Sequence, residues 1–312
     1  EVVALDDQIS DELRSWSAEN NLLVNAPDDV NLDLLLTQVD GVLPAPGLPD
    51  HHPIFAAAAQ AKAPIMSEFD LAARWDDRPA VAITGTDGKT TVVTLVERML
   101  QQSGIAAKAV GNTDTPWVEA IDDPSTDVFV VEASSFRLSH SQRFSPGIAT
   151  WLNFGPDHLD AHRDLAAYEA AKATIWSQLG TDALAVANRD DAIVSSRASM
   201  ILSRDVETFG AGEPPSLCDH GVIDGVLVCG GTELIAISEL SRTMPHDIMN
   251  GLAASATALR AGGQHTAVAE VLRNFTGLPH RVESIAEIDG VRYVNDSKAT
   301  TPHAAAAALG GF

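Results

Sequence analysis

Residues 80–102 constrain this chain more than any other segment. An apolar run, Ala80-Val81-Ala82-Ile83-Thr84, enters the loop Gly85-Thr86-Asp87-Gly88, and Lys89-Thr90-Thr91 then opens a helical pattern. Val92, Leu95, Val96, Met99 and Leu100 recur on one helical face, with Gly104 as the stop. A buried-type strand passing directly into an amphipathic helix calls for a layered α/β arrangement. The two glycines let the backbone curl so that N–H groups face an anion, and the helix N-terminus adds its dipole. In such a phosphate loop Lys89 is expected to reach the β- and γ-phosphates of ATP and Thr90 the Mg²⁺, with Gly85, Thr86, Asp87, Gly88 and Thr91 completing the cradle. The strict pattern of a glycine, four residues and Gly-Lys-Ser/Thr is not met, because Ile83 stands at its first glycine position. The bland alternative is a glycine-rich turn before a helix.

The rest of the chain repeats the strand-then-helix rhythm. Strands are expected at 128–131, 148–152 and 184–187, and a helix at 165–179, which implies a mostly parallel sheet covered on both faces. Residues 1–78 alternate short apolar runs with helical stretches and read as a separate α/β unit, closed by Asp76-Asp77-Arg78-Pro79. Residues 206–240 change texture: Asp224-Gly225 between β-prone pairs predicts a hairpin. Helices follow at about 248–261 and 267–275. A new unit starts with a strand at 291–294, a polar loop and a helix after Pro302. A chain of 312 residues suits several domains.

Composition excludes some functions. The formal charge of −23 argues against nucleic-acid binding. No apolar run approaches the roughly 20 residues of a membrane span, and no export signal opens the chain. The first residue is not Met, and we expect the N-terminus to be cut. Cys218 and Cys229 fit no zinc-ligand spacing and are expected as reduced thiols in a cytoplasm.

Other chemistry-bearing residues follow strands, where ligands sit in open α/β sheets. Glu132 ends the run 128–131 and reads as a Mg²⁺ ligand or as a helix cap. His158, in Asn153-Phe154-Gly155-Pro156-Asp157-His158-Leu159-Asp160, reads as a metal ligand, a phosphate contact or a surface histidine. Lys172 lies in the helix at 165–179, where a lone lysine is usually a solvated snorkel. Asn295-Asp296-Ser297-Lys298-Ala299-Thr300, with Pro279-His280-Arg281 upstream, reads either as a second phosphate-facing cluster or as a capped turn.

Taken together, these stretches resemble the Mur ligase family. The resemblance is carried by Thr84–Thr91, Glu132-Ala133-Ser134-Ser135-Phe136-Arg137-Leu138, Asp157-His158-Leu159-Asp160, Asn188-Arg189-Asp190-Asp191, His246-Asp247-Ile248-Met249-Asn250, Leu278-Pro279-His280-Arg281 and the stretch from Asn295 to Thr300. It implies a multi-domain α/β fold. A truncated Rossmann-like N-terminal domain would occupy 1–78 and bind the UDP-linked substrate. A central P-loop ATPase domain would occupy 79–277, and a C-terminal Rossmann-like domain would begin at 278–312. The Glu-x-Ser-Ser-Phe and Asp-Ser-Lys-Ala-Thr stretches resemble the branch that joins D-glutamate to UDP-N-acetylmuramoyl-L-alanine in peptidoglycan synthesis. The competing expectations are a folylpolyglutamate-type ligase and a decayed, non-catalytic relative.

The resemblance also implies roles. Lys89 and Thr90 would serve the ATP phosphates and Mg²⁺, with Glu132 on that ion and His158 on a second one. Lys172 would be the lysine that the family carbamylates. Asn250 would meet the adenine, and Arg281 and Asp296 would position ATP. Asn112, Ser134 and Thr300 would face the substrate, with Lys298 beside the reacting groups. The enzyme is expected as a cytoplasmic monomer. Asp87 departs from the family's usual Asn, and the approach Gly155-Pro156-Asp157 and Ala161 also differ. The N-terminal substrate loop and most of the C-terminal domain are expected to lie outside this chain.

Overall fold

A computed structural model of the chain describes residues 2–201, 205–300 and 302–311. They fall into two compact units, Glu1–Met66 and Ser67–Phe312. In the first, strands β1 (Ala4–Leu5) and β2 (Val24–Asn25) pair in parallel. Helices α1 (Asp11–Glu19), α2 (Leu32–Leu36) and α3 (Pro53–Ala61) complete it. Its core is small, centred on Leu36, Ala58 and Ala63.

The second unit opens with helix α4 (Glu68–Trp75), started by a capping box between Ser67 and Asp70. Its sheet has nine strands. They are β3 (Ala80–Thr84), β4 (Ala107–Gly111), β5 (Val128–Glu132), β6 (Ile148–Trp151), β7 (Leu184–Asn188), β8 (Val206–Phe209), β9 (His220–Ile223), β10 (Val226–Cys229) and β11 (Thr232–Ala236). The spatial order is β11-β10-β9-β8-β7-β6-β3-β5-β4. The pairs from β4 through β9 are parallel, and β9-β10-β11 is an antiparallel meander at the edge. The sheet is therefore mostly parallel, as the strand-helix rhythm predicts, and the hairpin falls at Asp224-Gly225 as expected.

Helices α5 (Lys89–Gln102), α6 (Trp117–Ala120), α7 (Ser135–Leu138), α8 (Leu165–Ser177), α9 (Ala192–Ala198), α10 (Pro245–Arg260) and α11 (His265–Asn274) cover the sheet. Alternation along β3 shows how: Val81 and Ile83 enter the core with α5, α10 and α11. Ala80 and Ala82 enter the other, with α4, α6, α8 and α9. Fully burying side chains such as Val81, Ile83, Val92 or Leu95 contributes roughly 1.5–3 kcal/mol each. Helix α10 is also tied by polar groups. Thr257 meets Thr150 of β6 at 2.7 Å, and Arg260 Nε donates to Glu207 of β8 at 3.0 Å.

After α11 the chain forms a two-stranded antiparallel ribbon, β12 (Glu283–Ile288) with β13 (Val291–Asn295), then α12 (Pro302–Leu309). The strand expected at 291–294 is thus the second arm of a hairpin. Its turn is Asp289-Gly290, both with positive φ (52° and 76°), the two-residue geometry that favours Asp-Gly. Strand β4 and helices α6 and α9 also lay outside the sequence reading. Helix α8 ends at Ser177 rather than 179, and α10 starts at Pro245, three residues early. Both cysteines are free, Cys218 exposed and Cys229 buried, and burial pushes the Cys229 thiol up to about 12.

Candidate active site

The chain reverses direction across the sheet between β3 and β6: one connection leads outward to β4, the other toward β7. Ligands in open α/β sheets bind at such a switch, beyond the carboxyl ends of the strands. The loop at 85–88 follows β3, and Asn153 follows β6. Asn153 Oδ1 accepts from the backbone N–H of Thr86 and of Asp87, each at 2.9 Å, and its Nδ2 donates to the Asp87 carbonyl at 3.1 Å. The Thr86 hydroxyl accepts from Gly155 N–H at 3.0 Å. The loop is therefore held by its neighbour, and the N–H groups of Thr86 and Asp87 are already used.

The donors left for an anion belong to the first turn of α5. Gly88 caps that helix at φ 83° with no side-chain cap, so the opening N–H groups of the helix keep their dipole exposed. A Cβ on Gly88 would stand 2.6 Å from the Asn250 side-chain oxygen. Glycine is needed there twice, for the left-handed turn and for the approach of α10.

A pocket opens beside this turn. Asp87, Gly88, Thr91, Asn250, Arg281, Asp296 and Lys298 line it, with Phe275 and Leu278 as apolar wall. Seven residues assigned to ATP or catalysis from sequence thus converge on one cavity. Arg281 donates to the Thr90 hydroxyl at 3.1 Å, and Asp296 accepts from Val282 N–H at 3.1 Å.

The other candidates gather on the far side of the loop. Lys89 Nζ donates to the carbonyls of Gly85 (3.0 Å) and Thr86 (2.8 Å). Lys172 Nζ donates to the same Gly85 carbonyl at 2.6 Å, fully buried and 4.6 Å from the centre of the Tyr168 ring. Burial, and then the charge of Lys89, hold the Lys172 amine well below the usual lysine range. Burial also lowers Lys89, opposed by the charges of Glu132, Asp87 and Asp157. Lys172 is no snorkel: α8 delivers its head into the protein.

Glu132, at the end of β5, is buried. Asn112 Nδ2 donates to its Oε1 at 3.0 Å, and Oε2 has no hydrogen-bond partner among the described residues. A buried carboxylate oxygen left bare is costly unless a cation or its water reaches it. Among the described residues no cluster of three His, Cys, Asp or Glu side chains could hold a metal alone. The donor set suits Mg²⁺, which keeps waters and takes one or two carboxylates plus phosphate oxygens.

His158, with φ 53°, stands 3.3 Å from the Asp157 carboxylate and 4.8 Å from the Phe136 ring, centre to centre. Burial lowers its imidazole pKa, and Asp157 opposes that shift. Ser134 is buried and caps α7, accepting from Arg137 N–H at 3.4 Å. Thr300 is exposed and does not line the pocket. Sequence reasoning missed Asn153 as the clamp of the loop, and missed His162. That imidazole is buried, stacked on Phe136 and 2.9 Å from the Ser135 hydroxyl. Their only signal was position, after a strand or four residues past His158.

The fold and this loop define an α/β domain built to hold a phosphate chain at a helix N-terminus. Residues 83–258 match the family described as Mur ligase middle domain, and the chain belongs to the Mur ligase family. It is 41% identical over 311 residues to a UDP-N-acetylmuramoylalanine–D-glutamate ligase of Frankia casuarinae, covering 96% of this chain and 63% of that one. With the ligase of the same description from Legionella pneumophila it shares 37% over 295 residues, 93% of this chain and 64% of the relative. The chain thus spans less than two thirds of the length of these relatives. In fold it resembles a UDP-N-acetylmuramate:L-alanyl-γ-D-glutamyl-meso-diaminopimelate ligase from Neisseria meningitides. The TM-score is 0.59 at 18% identity, covering 89% of this chain and 91% of that one. A UDP-N-acetylmuramoyl-L-alanyl-D-glutamate–2,6-diaminopimelate ligase gives 0.58 at 20% identity, covering 81% and 64%.

Proposed function

We propose that this chain is the ATP-binding and carboxylate-activating part of an ADP-forming ligase that joins D-glutamate to UDP-N-acetylmuramoyl-L-alanine in peptidoglycan synthesis. The observation that carries the reading is the convergence of Lys89, Lys172 and the bare Glu132 oxygen around one phosphate loop. The identity to D-glutamate ligases supports the choice of substrates. In this reading residues 1–78 serve the UDP moiety, 79–277 bind ATP and 278–312 begin the domain that completes the D-glutamate site. ATP and the UDP-linked acceptor are both nucleotides, and we assign the enzyme to the cytoplasm, as a monomer.

A carboxylate is a poor electrophile. Its oxygen attacks the γ-phosphorus of ATP, releasing ADP and forming an acyl phosphate. The D-glutamate amine then attacks the acyl carbon, loses a proton, and phosphate departs from the tetrahedral intermediate. The first turn of α5 and Lys89 bind the β- and γ-phosphates. Asn250, Arg281 and Asp296 hold the nucleotide in the pocket, and Lys298 reaches toward the reacting groups from the C-terminal side, with Thr300, outside the pocket, left to face the substrate. Asn112 and Ser134 orient the muramoyl substrate. Glu132 and Thr90 would hold one Mg²⁺ and His158 a second, with a carbamylated Lys172 as a further carboxylate. Mg²⁺ supplies charge neutralisation on the transferring phosphoryl group. Lys172 suits carbamylation because its burial favours the neutral amine, the form that attacks CO₂ and then sheds a proton.

The test is ADP release by the intact protein with Mg-ATP, UDP-N-acetylmuramoyl-L-alanine and D-glutamate. Release should require both co-substrates. Equal turnover with another amino acid, or ADP release indifferent to the muramoyl substrate, would overturn the reading. The first outcome points to another ligase of the superfamily, and the absence of any stimulation points to a decayed nucleotide binder.

Asp87 makes a separate expectation. Its side chain lines the pocket at the phosphate loop, where a negative charge opposes phosphate. Asp87→Asn should tighten ATP binding about fivefold, on the order of 1 kcal/mol for a partly screened charge. Calorimetric titration with ATP checks it, and unchanged or weaker binding would refute the repulsion.

A further inference from the structure

The bare oxygen of Glu132 is set by residues outside the phosphate loop. Glu68, on α4, accepts from Arg137 Nε at 2.7 Å, and both side chains are largely buried. Glu68 is itself fixed, since its other oxygen accepts from Val118 N–H at 3.2 Å. The Arg137 guanidinium lies 5.7 Å from the centre of the Phe69 ring and donates through Nη1 to Asn112 Oδ1 at 3.3 Å. Asn112 then gives its Nδ2 to Glu132 Oε1 at 3.0 Å. Its backbone N–H is anchored on the Glu132 carbonyl at 3.0 Å.

The direction of this chain of hydrogen bonds matters. An Asn amide has one acceptor end and one donor end. A guanidinium offers only donors, so Arg137 can face only the amide oxygen. The amide nitrogen is thereby turned toward Glu132. With the amide reversed, its oxygen would oppose a carboxylate oxygen at hydrogen-bond distance, which is repulsive. The arrangement satisfies one Glu132 oxygen and leaves the other, Oε2, without a partner among the described residues.

We propose that Glu68, Arg137 and Asn112 form a positioning relay that holds the Glu132 carboxylate with Oε2 presented to the metal–nucleotide. The inference rests on the ATP-and-Mg²⁺ reading above. Arg137 acts through Asn112, and its contribution is the orientation of an amide rather than a contact with phosphate. Outer groups that orient a metal ligand typically set metal affinity by 10- to 100-fold. A plain ion pair pinning α4 to α7 would change stability and leave metal affinity alone.

The experiment uses the intact protein saturated with a non-hydrolysable ATP analogue and follows Mn²⁺ binding through loss of the free-ion electron paramagnetic resonance signal. Arg137→Ala and Asn112→Leu should each weaken Mn²⁺ binding about tenfold. Affinity for the metal-free analogue should stay within twofold of the parent. Arg137→Lys, which still offers a donor to Asn112 Oδ1, should recover most of the loss. Should Arg137→Ala fail to fold, Asn112→Leu, at an exposed position, reads the same link. Parent-like Mn²⁺ affinity in Arg137→Ala or in Asn112→Leu would overturn the relay. A parent protein that binds no Mn²⁺ with the analogue would instead overturn the metal–nucleotide reading, and the two failures are distinct.

Discussion

Lys89→Ala should lower the rate of ADP formation by about 100- to 1000-fold, equivalent to roughly 3–4 kcal/mol of transition-state stabilisation. Its ammonium is held by the Gly85 and Thr86 carbonyls at the mouth of α5, so it needs only a local swing to reach a phosphate. Charge builds on the phosphoryl group as it transfers, and a cation in a buried setting acts there more strongly than in water. Lys89 is not one of the apolar core residues, so the circular dichroism spectrum and the unfolding cooperativity should match the parent. A coupled assay for ADP provides the measurement. A loss below tenfold would remove Lys89 from the chemistry and leave the loop as a binding element alone.

Lys172→Ala should also abolish ligation, for a different reason. The amine is buried against Tyr168 and Gly85, and its basicity is lowered mainly by desolvation. Desolvation disfavours the protonated amine, and the free base is the form that takes up CO₂. Removing it removes the carboxylate-like group proposed for the metal. Formate or acetate at millimolar concentration should therefore restore part of the activity of Lys172→Ala and none of that of Lys89→Ala. Near-normal activity without added acid would refute the role, and failure of rescue would remove the support for a carbamate.

Much of this was legible before the structure. Residues 81–83 and 128–131 are short, apolar and mostly β-branched, and the glycine loop hands β3 to α5, so the parallel core follows from local pattern alone. The ribbon β12-β13 carried its own signal in Asp289-Gly290, but the mixed stretch 283–288, with Ile285 and Ile288 exposed, lacks the regular alternation that marks a strand. Long-range polar pairing was not legible. Asn153 clamps a loop 66 residues away, and Arg137 selects an amide orientation across 25 residues. Neither Asn nor Arg has a spacing that announces its partner. Lys172 was misleading in isolation because helical periodicity shows which face a residue occupies, and says nothing of whether that face is solvent or another loop.

The shared carbonyl of Gly85 has a consequence for the protein at rest. Two lysine side chains share one carbonyl oxygen inside a desolvated loop, and burial makes both less basic, Lys172 further through the charge of Lys89. Below the pKa of an unfolded lysine, each such group lowers the stability of the folded state, because the unfolded chain holds its protons more tightly. The loop is thus a place where stability is sacrificed for reactivity. A triphosphate entering the pocket would supply the missing anions, so the native state should be most robust when it is loaded and ready to react.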